Sequence, residues 1–437
     1  MPAYLNASGG TAEGRSPVRA PEPKPAPRRH GGTFGSLRVR NYRRYAAGQV
    51  VSLVGTWMQR VAQDWLVLEL SGGNPVALGV AAALQFGPIL LFSLWAGVLA
   101  DRLDKRKLLM ASQAALAVFA LVLGILDVSG VAQLWHVYVL CLLLGCATSV
   151  DQPVRQSFVV EMVGREQLTN AVALNAMTFN TARIIGPAIA GVMIAAVGTG
   201  WLFLINAATF VGTIGALLSM DKAKLLRPTR LPRAKGQLRA GLRYVREHRE
   251  LATILALVFC VGTFGLTFYA TLAIAARNVF HGGPQAYGLL STMLAVGTLA
   301  GATLAARRAG NGARPRPSVV VAAAMAFGVL EAAVGLMPTY LTFGLMLIPA
   351  GAAVLTFTTA ANSTVQLSVE PTMRGRVMAL YMLLFVGGTP IGGPLVGWLA
   401  AEYGGRAPIV LGGVVTVVAA ATCGLLLARA GRHRPGP

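Results

Sequence analysis

The sequence predicts an all-α integral membrane protein, with twelve transmembrane helices arranged in two pseudo-symmetric six-helix bundles. Apolar runs of about twenty residues recur along the chain, and each is long enough to cross ~30 Å of hydrocarbon as a helix. Only 12% of the 437 residues are charged, whereas a soluble domain has about 25%. Basic residues also occupy every second connection between the apolar runs, which is the positive-inside pattern of membrane proteins.

The placement of the basic residues decides what a net charge of +22 means. They concentrate in the N-terminal tail, the turn at 100–107, the loop at 221–250 and the C-terminal tail, whereas the connections at 71–75 and 198–200 are uncharged. A nucleic-acid surface would not follow this alternation, so we expect no nucleic-acid partner. We expect a lipid bilayer as partner, a multi-pass topology in the inner (cytoplasmic) membrane and both termini in the cytoplasm.

The first half of the chain predicts a tail and six spans. Residues 1–33 are rich in Pro, Gly, Ala and Arg without apolar periodicity, which predicts a disordered basic cytoplasmic tail. The N-terminal bundle covers 34–220 and begins with a mixture of arginines and tyrosines that is typical of a membrane interface. Its apolar runs predict spans at 46–69, 76–100, 108–127, 134–157, 170–197 and 200–220.

The second half predicts a loop, six further spans and a short tail. Within the loop at 221–250, Leu238, Leu242 and Val245 recur at helical spacing among arginines, which predicts a basic amphipathic helix on the inner leaflet. The C-terminal bundle covers 251–428, and 429–437 form a basic cytoplasmic tail. The predicted spans lie at 251–279, 285–306, 318–337, 339–367, 375–400 and 405–428.

A Gly-Pro pair repeats in the two halves and supports their pseudo-symmetry. Gly186-Pro187 in the fifth span matches Gly393-Pro394 in the eleventh. The glycines indicate close helix packing, and the prolines indicate bends where a transmembrane helix can flex. Repeated halves that enclose a site near the midplane are the architecture of secondary transporters.

The first span carries a polar stripe that cannot face lipid, because its seven members fall on one arc of the helix. Arg60 and Asp64 are one helical turn apart and can pair. They form either a structural ion pair or part of a substrate and proton pathway, in which Asp64 would change protonation during the cycle. The stripe consists of Gln49, Ser52, Thr56, Gln59, Arg60, Gln63 and Asp64.

Other polar residues inside the predicted spans are candidates for the same pathway. Arg183 lies near the middle of the fifth span, where a charge needs a partner or water, and Glu331 is similarly deep in the ninth. Whether these two pair is open at this stage. The tenth span has a polar arc that indicates either a second cavity face or hydrogen bonds between helices. Its members are Thr356, Thr359, Asn362, Ser363 and Gln366.

The sequence has no readable phosphate-binding loop, metal-ligand cluster or nucleophile–base pair. We therefore expect no enzymatic activity, no metal and no cofactor. The four cysteines all fall inside apolar spans and predict no disulfide framework. Any transport would then draw its energy from an ion gradient, with protons as the coupling ion.

The turn between the second and third spans resembles a family signature. The run Gly97-Val98-Leu99-Ala100-Asp101-Arg102 before a basic cluster is similar to the loop motif of the major facilitator superfamily, with Asp104 where that family has glycine. The phrases at 41–45, 55–59, 151–156 and 179–187 resemble its enterobactin-exporter-like branch. The resemblance implies alternating access, proton-coupled efflux and a cytoplasmic gate. The implied gate residues are Gly97, Asp101, Arg102, Asp151, Arg155, Arg374 and Arg376.

These observations predict a secondary active transporter that exports a small amphipathic molecule, siderophore-like or drug-like, by proton-coupled antiport. We expect it to act as a monomer. One alternative is an importer on the same fold. Another is a non-transporting membrane scaffold or sensor, which the buried charges of the first and fifth spans disfavour because a scaffold needs no costly polar stripe.

Overall fold

The computed structural model describes residues 34–226, 237–265, 267–310 and 316–432. The predicted tail at 1–33, residues 227–236 of the central loop and the last residues of the C-terminal tail lie outside the described residues. The described part is helical. Its helices are α1 Arg40–Leu70, α2 Pro75–Arg102, α3 Lys105–Val128, α4 Leu134–Gly164, α5 Glu166–Val197, α6 Thr199–Leu218, α7 Gln237–Glu247, α8 Arg249–Val279, α9 Pro284–Gly310, α10 Pro317–Leu336, α11 Tyr340–Ser368, α12 Pro371–Gly387, α13 Thr389–Tyr403 and α14 Ala407–Arg432.

Eleven spans among the described helices are long and apolar enough to cross a membrane, with α12 and α13 together forming one of them. The twelfth is α1, whose 31 residues extend about 46 Å. Its polar stripe lowers its hydropathy, and much of that stripe faces protein, since Gln49, Ser52, Gln59 and Gln63 are buried. The predicted all-α fold of twelve spans is confirmed.

Hydrogen bonds between helix ends and loops show which connections share an end of the molecule. At one end, Arg106 Nε donates to the Leu217 carbonyl over 2.7 Å, and Asn41 Nδ2 donates to the Asp221 carbonyl over 2.9 Å. We call this the basic end, because it carries the turn before Lys105. At the opposite, neutral end, Asn278 Nδ2 donates to the Gly73 carbonyl over 2.9 Å.

The fourth and fifth helices are longer than the sequence predicts. They meet at Gly164, whose φ of 70° and ψ of 179° depart from helical values, a backbone conformation that glycine adopts without steric cost. The chain therefore reverses within a single residue, and the loop expected at 158–169 is helical except at this turn.

The N-terminal bundle (α1–α6) and the C-terminal bundle (α8–α14) meet where α2 packs on α13 and where α5 packs on α9. A Cβ placed on Gly79 would lie 2.5 Å from the Gly393 carbonyl oxygen and 3.0 Å from Pro394 Cα. A Cβ on Gly288 would lie 2.6 Å from the Pro187 carbonyl oxygen. The repeated Gly-Pro pairs thus lie at the two contacts between bundles, and Gly186 packs on Trp57 of α1.

We expect Gly288→Val to hold the two bundles apart at the neutral end, because its side chain would overlap the backbone of α5. Overpacking of this kind costs about 1–3 kcal/mol, so closure of this end should fall about tenfold. Disulfide cross-linking between Gly73→Cys and Asn278→Cys measures the closure. The control is Gly212→Val, which meets nothing within 4 Å, and equal cross-linking in both variants would contradict the expectation.

Candidate functional site

Asp64 lies within two turns of the end of α1, towards the neutral end, and bonds to the opposite bundle. Its Oδ2 accepts a hydrogen bond of 2.7 Å from the hydroxyl of Tyr287 on α9, a side chain that is fully buried. Arg60 and Asp64, which the sequence places one turn apart, form no ion pair here, because no nitrogen–oxygen distance within 4.0 Å joins these two described side chains. Their part in a substrate and proton pathway stays a prediction. The tyrosine hydroxyl draws the carboxylate towards α9, away from its neighbour on α1.

Arg60 lies among aromatic rings from three helices. Its guanidinium carbon is 4.9 Å from the centroid of the Phe86 ring, 5.4 Å from that of Tyr269 and 5.8 Å from that of Trp57. A cation at these distances is attracted by the electron-rich face of the ring. The Nε atom of Arg60 is buried without a hydrogen-bond partner among the described residues.

Arg183 shares two of those rings. Its Nε donates a hydrogen bond of 2.6 Å to the Tyr269 hydroxyl, and its guanidinium carbon lies 5.7 Å from the Trp57 centroid and 5.4 Å from that of Tyr269. The pairing of Arg183 with Glu331, which the sequence left open, does not occur among the ion pairs of the described residues. Glu331 lies inside the C-terminal bundle, is 2% exposed, and its Oε2 has no partner among the described residues.

These groups form what we call the central cluster, which joins the two bundles. A cavity beside it is lined by Arg60 and Asp64 from α1, by Gln85 and Phe86 from α2, and by residues of α8 and α13. The cavity has a volume of about 20 Å³, which holds one water and is far below the 300–1,000 Å³ of pockets that enclose drug-sized ligands. The cluster is therefore closed in this structure. It comprises Trp57, Arg60, Asp64, Phe86, Arg183, Tyr269 and Tyr287.

Two other members of the α1 stripe bond within the N-terminal bundle. Gln59 accepts a hydrogen bond of 2.6 Å from Asn206 Nδ2 on α6. Gln63 donates one of 3.1 Å to Gln85 Oε1 on α2. Both side chains are buried, so these bonds hold α1 in its bundle and orient the arc that carries Arg60.

The polar arc of α11 lies apart from these contacts. Gln366 Nε2 donates to Asn362 Oδ1 of the same helix over 2.6 Å. Thr359 is exposed, whereas Asn362 and Ser363 are half-buried. A role of this arc in the pathway remains a prediction.

Two of the predicted gate residues form an ion pair at the basic end, in which Asp151 is buried and Arg155 is half-buried. Arg155 Nε donates to Asp151 Oδ2 over 3.0 Å. The other oxygen of Asp151 accepts from Ser112 Oγ over 2.9 Å and from Gln113 Nε2 over 2.7 Å. These bonds tie α4 to α3 within one bundle.

The remaining gate residues leave the predicted gate untested. Gly97 lies on α2, and the side chains of Asp101 and Arg102 lie outside the described residues. Arg374 is exposed, while Arg376 is half-buried and packs on Gly241 of α7. The contacts of Asp101 that the resemblance implies stay a prediction.

Two tyrosines of the central cluster were missed by the sequence argument. Tyr269 and Tyr287 lie inside apolar spans of the C-terminal bundle, where a phenolic hydroxyl has no water and needs a polar partner. A tyrosine in the middle of such a span, as Tyr269 is in α8, is thus a signal for a buried polar site, whereas Tyr287 is only the fourth residue of α9 and gives no such signal. Each one here meets a charged residue of the N-terminal bundle.

Comparison with known proteins finds a family match and similarity to several exporters. Residues 31–431 match the family described as transmembrane secretion effectors. The chain is 28% identical to the staphyloferrin A transporter of Staphylococcus aureus over 56% of its own length and 61% of that protein. It is 23% identical to macrolide efflux protein A of Streptococcus pyogenes over 87% of its length and 94% of that protein. It is 25% identical to the enterobactin exporter of Citrobacter koseri over 91% of its own length and 94% of that protein.

A solved structure shows the same fold at low sequence identity. The bacterial homologue of the human lysosomal transporter Spinster, in its inward-facing, unoccupied form, superimposes with a TM-score of 0.69 at 15% identity, over 91% of this chain and 99% of that one. The staphyloferrin A transporter is matched over less than two thirds of its length, whereas the family match runs through both bundles. The predicted resemblance is confirmed, and the chain belongs to the transmembrane secretion effector family of the major facilitator superfamily.

Proposed function

We propose that this protein exports a small, acidic, amphipathic molecule by alternating access of its two bundles, in exchange for protons. The central cluster carries the proposal, because it joins the bundles through groups that can bind such a molecule. Arg60 and Arg183 supply two positive charges, and Asp64 supplies one negative charge. The surplus positive charge inside the membrane is costly, so a bound anion would relieve it.

The rings of the central cluster suit the apolar part of the same molecule. Trp57 and Tyr269 lie between the two arginines, and Trp57 also contacts Phe179 with 5.7 Å between ring centroids. Guanidinium groups bind carboxylates and other planar anions through paired hydrogen bonds. A substrate with acid groups beside a planar or apolar body would match both features.

The relatives suggest two kinds of substrate. The net charge of the central cluster favours one of them. Staphyloferrin A and enterobactin, named for two relatives, are iron chelators with acidic groups, whereas macrolides with amino sugars are cationic. Two arginines would repel a cation unless Asp64 were free to bind it, and Asp64 is bonded to Tyr287. The arrangement favours an acidic chelator.

Uptake into inverted membrane vesicles tests the function. Enterobactin and erythromycin are the probes, each measured with and without an imposed pH gradient. We expect gradient-dependent accumulation of enterobactin, with several-fold weaker accumulation of erythromycin. Accumulation only in right-side-out vesicles would indicate an importer. If neither vesicle type accumulates the acidic probe, the proposed export is wrong.

The basic end indicates how the protein is oriented in the membrane. We propose that this end faces the cytoplasm, that both termini lie there and that the chain acts as a monomer in the cytoplasmic membrane, without nucleic acid, cofactor or catalytic activity of its own. The basic loops support the orientation through the positive-inside rule. The close contacts of α2 with α13 and of α5 with α9 would then shut the pathway to the outside.

Cysteine labelling tests this orientation. In whole cells, Gly73→Cys at the neutral end should react with a membrane-impermeant maleimide. Gly236→Cys in the central basic loop should react only after the membrane is opened. The internal control is the parent protein, whose four cysteines lie within the spans. Labelling of position 236 in intact cells would reverse the proposed orientation.

A further inference from the structure

Helix α7 lies directly before the span α8, with only His248 between them. The sequence predicts that the apolar residues of α7 face the inner leaflet, but in the structure these residues divide. Val245 is 6% exposed and packs in the core of the C-terminal bundle, whereas Leu242 is 49% exposed. The side chain of Leu238 lies outside the described residues. The predicted helix is therefore present, but protein covers part of its apolar side.

A glycine lets α7 lie against the start of α12. A Cβ on Gly241 would lie 3.3 Å from Arg376 Cβ and 3.4 Å from the Arg376 carbonyl oxygen. Val245, one turn along α7, is buried on the same side of the helix. These two contacts fix the rotation of α7, so the residues on the far side of the helix point away from the bundle.

The far side of α7 combines an exposed leucine with arginines. At 100° per residue, Leu242, Arg243 and Arg246 share an arc of about 100°, centred about 130° from the contact with α12. Arg249 begins α8 and is also exposed, and the exposed charged residues at 243–249 are these three arginines and Glu247. None of the three arginines is in an ion pair of the described residues. We call Leu242, Arg243, Arg246 and Arg249 the α7 surface.

We propose that the α7 surface binds an anionic phospholipid, with the guanidinium groups on the phosphate and Leu242 at the acyl-chain boundary. Guanidinium groups bind phosphate through paired hydrogen bonds, and basic residues next to the cytoplasmic end of a span attract anionic lipid. The exposed leucine favours a lipid over a water-soluble acid, because a phospholipid places acyl chains beside its phosphate where α8 enters the membrane. The inner leaflet as the source of this lipid rests on the proposed orientation.

Helix α12 connects this surface to a contact between the bundles. It carries α7 at Arg376, and at its other end a Cβ on Gly387 would lie 2.7 Å from Leu90 Cδ1 of α2. A lipid that holds α7 in place would thereby hold the start of α12 and stabilise one arrangement of the two bundles. Transport would then depend on anionic lipid, and this consequence rests on the proposed export function.

Lipid binding is tested on the purified full-length protein in a neutral detergent, without any substrate. Leu242→Cys is labelled with an environment-sensitive fluorophore, and phosphatidylglycerol or phosphatidylcholine is titrated into the micelles. We expect a blue shift that is half-complete at about tenfold less phosphatidylglycerol than phosphatidylcholine. The parent protein, treated with the same fluorophore, gives the background from its four cysteines.

Removal of two arginines tests which residues bind the lipid. Arg243→Gln together with Arg246→Gln should weaken the affinity for phosphatidylglycerol about 30-fold. Both side chains are exposed, so Tm without added lipid should equal that of the parent. The matched control is Arg307→Gln together with Arg316→Gln, which removes two exposed arginines from another basic connection of the same bundle. This control should keep the affinity within about twofold.

Three results would overturn the proposal. The first is a parent protein without preference for phosphatidylglycerol. The second is an equal loss of affinity in both pairs of variants, which would indicate a diffuse effect of positive charge. The third is an equal blue shift when enterobactin replaces the lipid, which would mean that the α7 surface collects a soluble acid.

The fluorescence measurement is independent of transport. Binding of phosphatidylglycerol that depends on Arg243 and Arg246, in a protein that accumulates no acidic probe in vesicles, would contradict the proposed export and leave the lipid site standing. Export of the probe by a protein without preference for phosphatidylglycerol would contradict the lipid site and leave the export standing.

Discussion

Asp64→Asn should abolish gradient-driven export while the protein still folds and binds the acidic probe. Asparagine has nearly the shape of aspartate, and its oxygen can still accept the hydrogen bond that the Tyr287 hydroxyl gives to Asp64 over 2.7 Å. What it cannot do is release and bind a proton. We expect at least a hundredfold loss of pH-driven enterobactin accumulation in inverted vesicles, with equilibrium binding within about threefold of the parent.

The hydrogen bond from Tyr287 is the reason to expect proton coupling at Asp64. Asp64 is held by a residue of the opposite bundle, so any movement of the bundles that separates α1 from α9 changes the surroundings of this carboxylate. A group whose surroundings differ between two states binds its proton differently in each, which is the requirement for coupling. Asp64→Glu should therefore keep part of the activity, and Tyr287→Phe should keep transport but weaken its dependence on the pH gradient.

A double variant decides between coupling and a structural role. If Asp64 only offsets the charge of Arg60, Asp64→Asn should lower Tm, and Arg60→Gln together with Asp64→Asn should recover both stability and transport. If Asp64 carries the proton, the double variant stays inactive with a pH gradient. Restored gradient-driven export in the double variant would contradict the coupling role.

Arg183→Gln should weaken binding of the acidic probe by about 30-fold or more. The guanidinium is held by the Tyr269 hydroxyl at 2.6 Å and by the rings of Trp57 and Tyr269, so it is oriented before the substrate arrives. Removing one partner of a buried charged contact costs at least about 2 kcal/mol, which corresponds to that factor. Quenching of tryptophan fluorescence by enterobactin, in purified protein, measures the affinity.

A matched arginine serves as the control. Arg277 also joins the bundles through a ring, with its guanidinium carbon 5.5 Å from the Trp65 centroid, but Trp65 is not a member of the central cluster. Arg277→Gln should leave the affinity for enterobactin within about twofold. Equal losses in both variants would mean that the arginines act by holding the bundles together and that the central cluster is not the binding site.

The glycines at the bundle contacts show which contacts a local sequence pattern can predict and which it cannot. Gly186-Pro187 and Gly393-Pro394 were recognisable as a repeat because they are identical pairs in corresponding spans. The glycines that pack against these pairs were not recognisable from the sequence. Gly79 and Gly288 are ordinary glycines in the sequence, and only the packing of α2 on α13 and of α5 on α9 brings them against those pairs.

The sequence by itself determined the number of spans, which connections lie at the basic end and which at the neutral end, and the polar face of α1. These features depend on each segment alone, because hydropathy, charge and helical periodicity set how a segment partitions between water, lipid and protein. The prediction succeeded even for α1, whose hydropathy is low, because its length and one-sided polarity were both local.

Only the tertiary structure decided which polar groups meet. The i, i+4 spacing puts Arg60 and Asp64 on one face of α1, but the bond that a buried carboxylate makes depends on which donors the opposing helices present. Asp64 accepts its hydrogen bond from Tyr287, which is 223 residues away, and not from Arg60 one turn away. Arg183 bonds to Tyr269, and Glu331 lies against Gly412 of α14, because these contacts depend on how whole helices pack against one another.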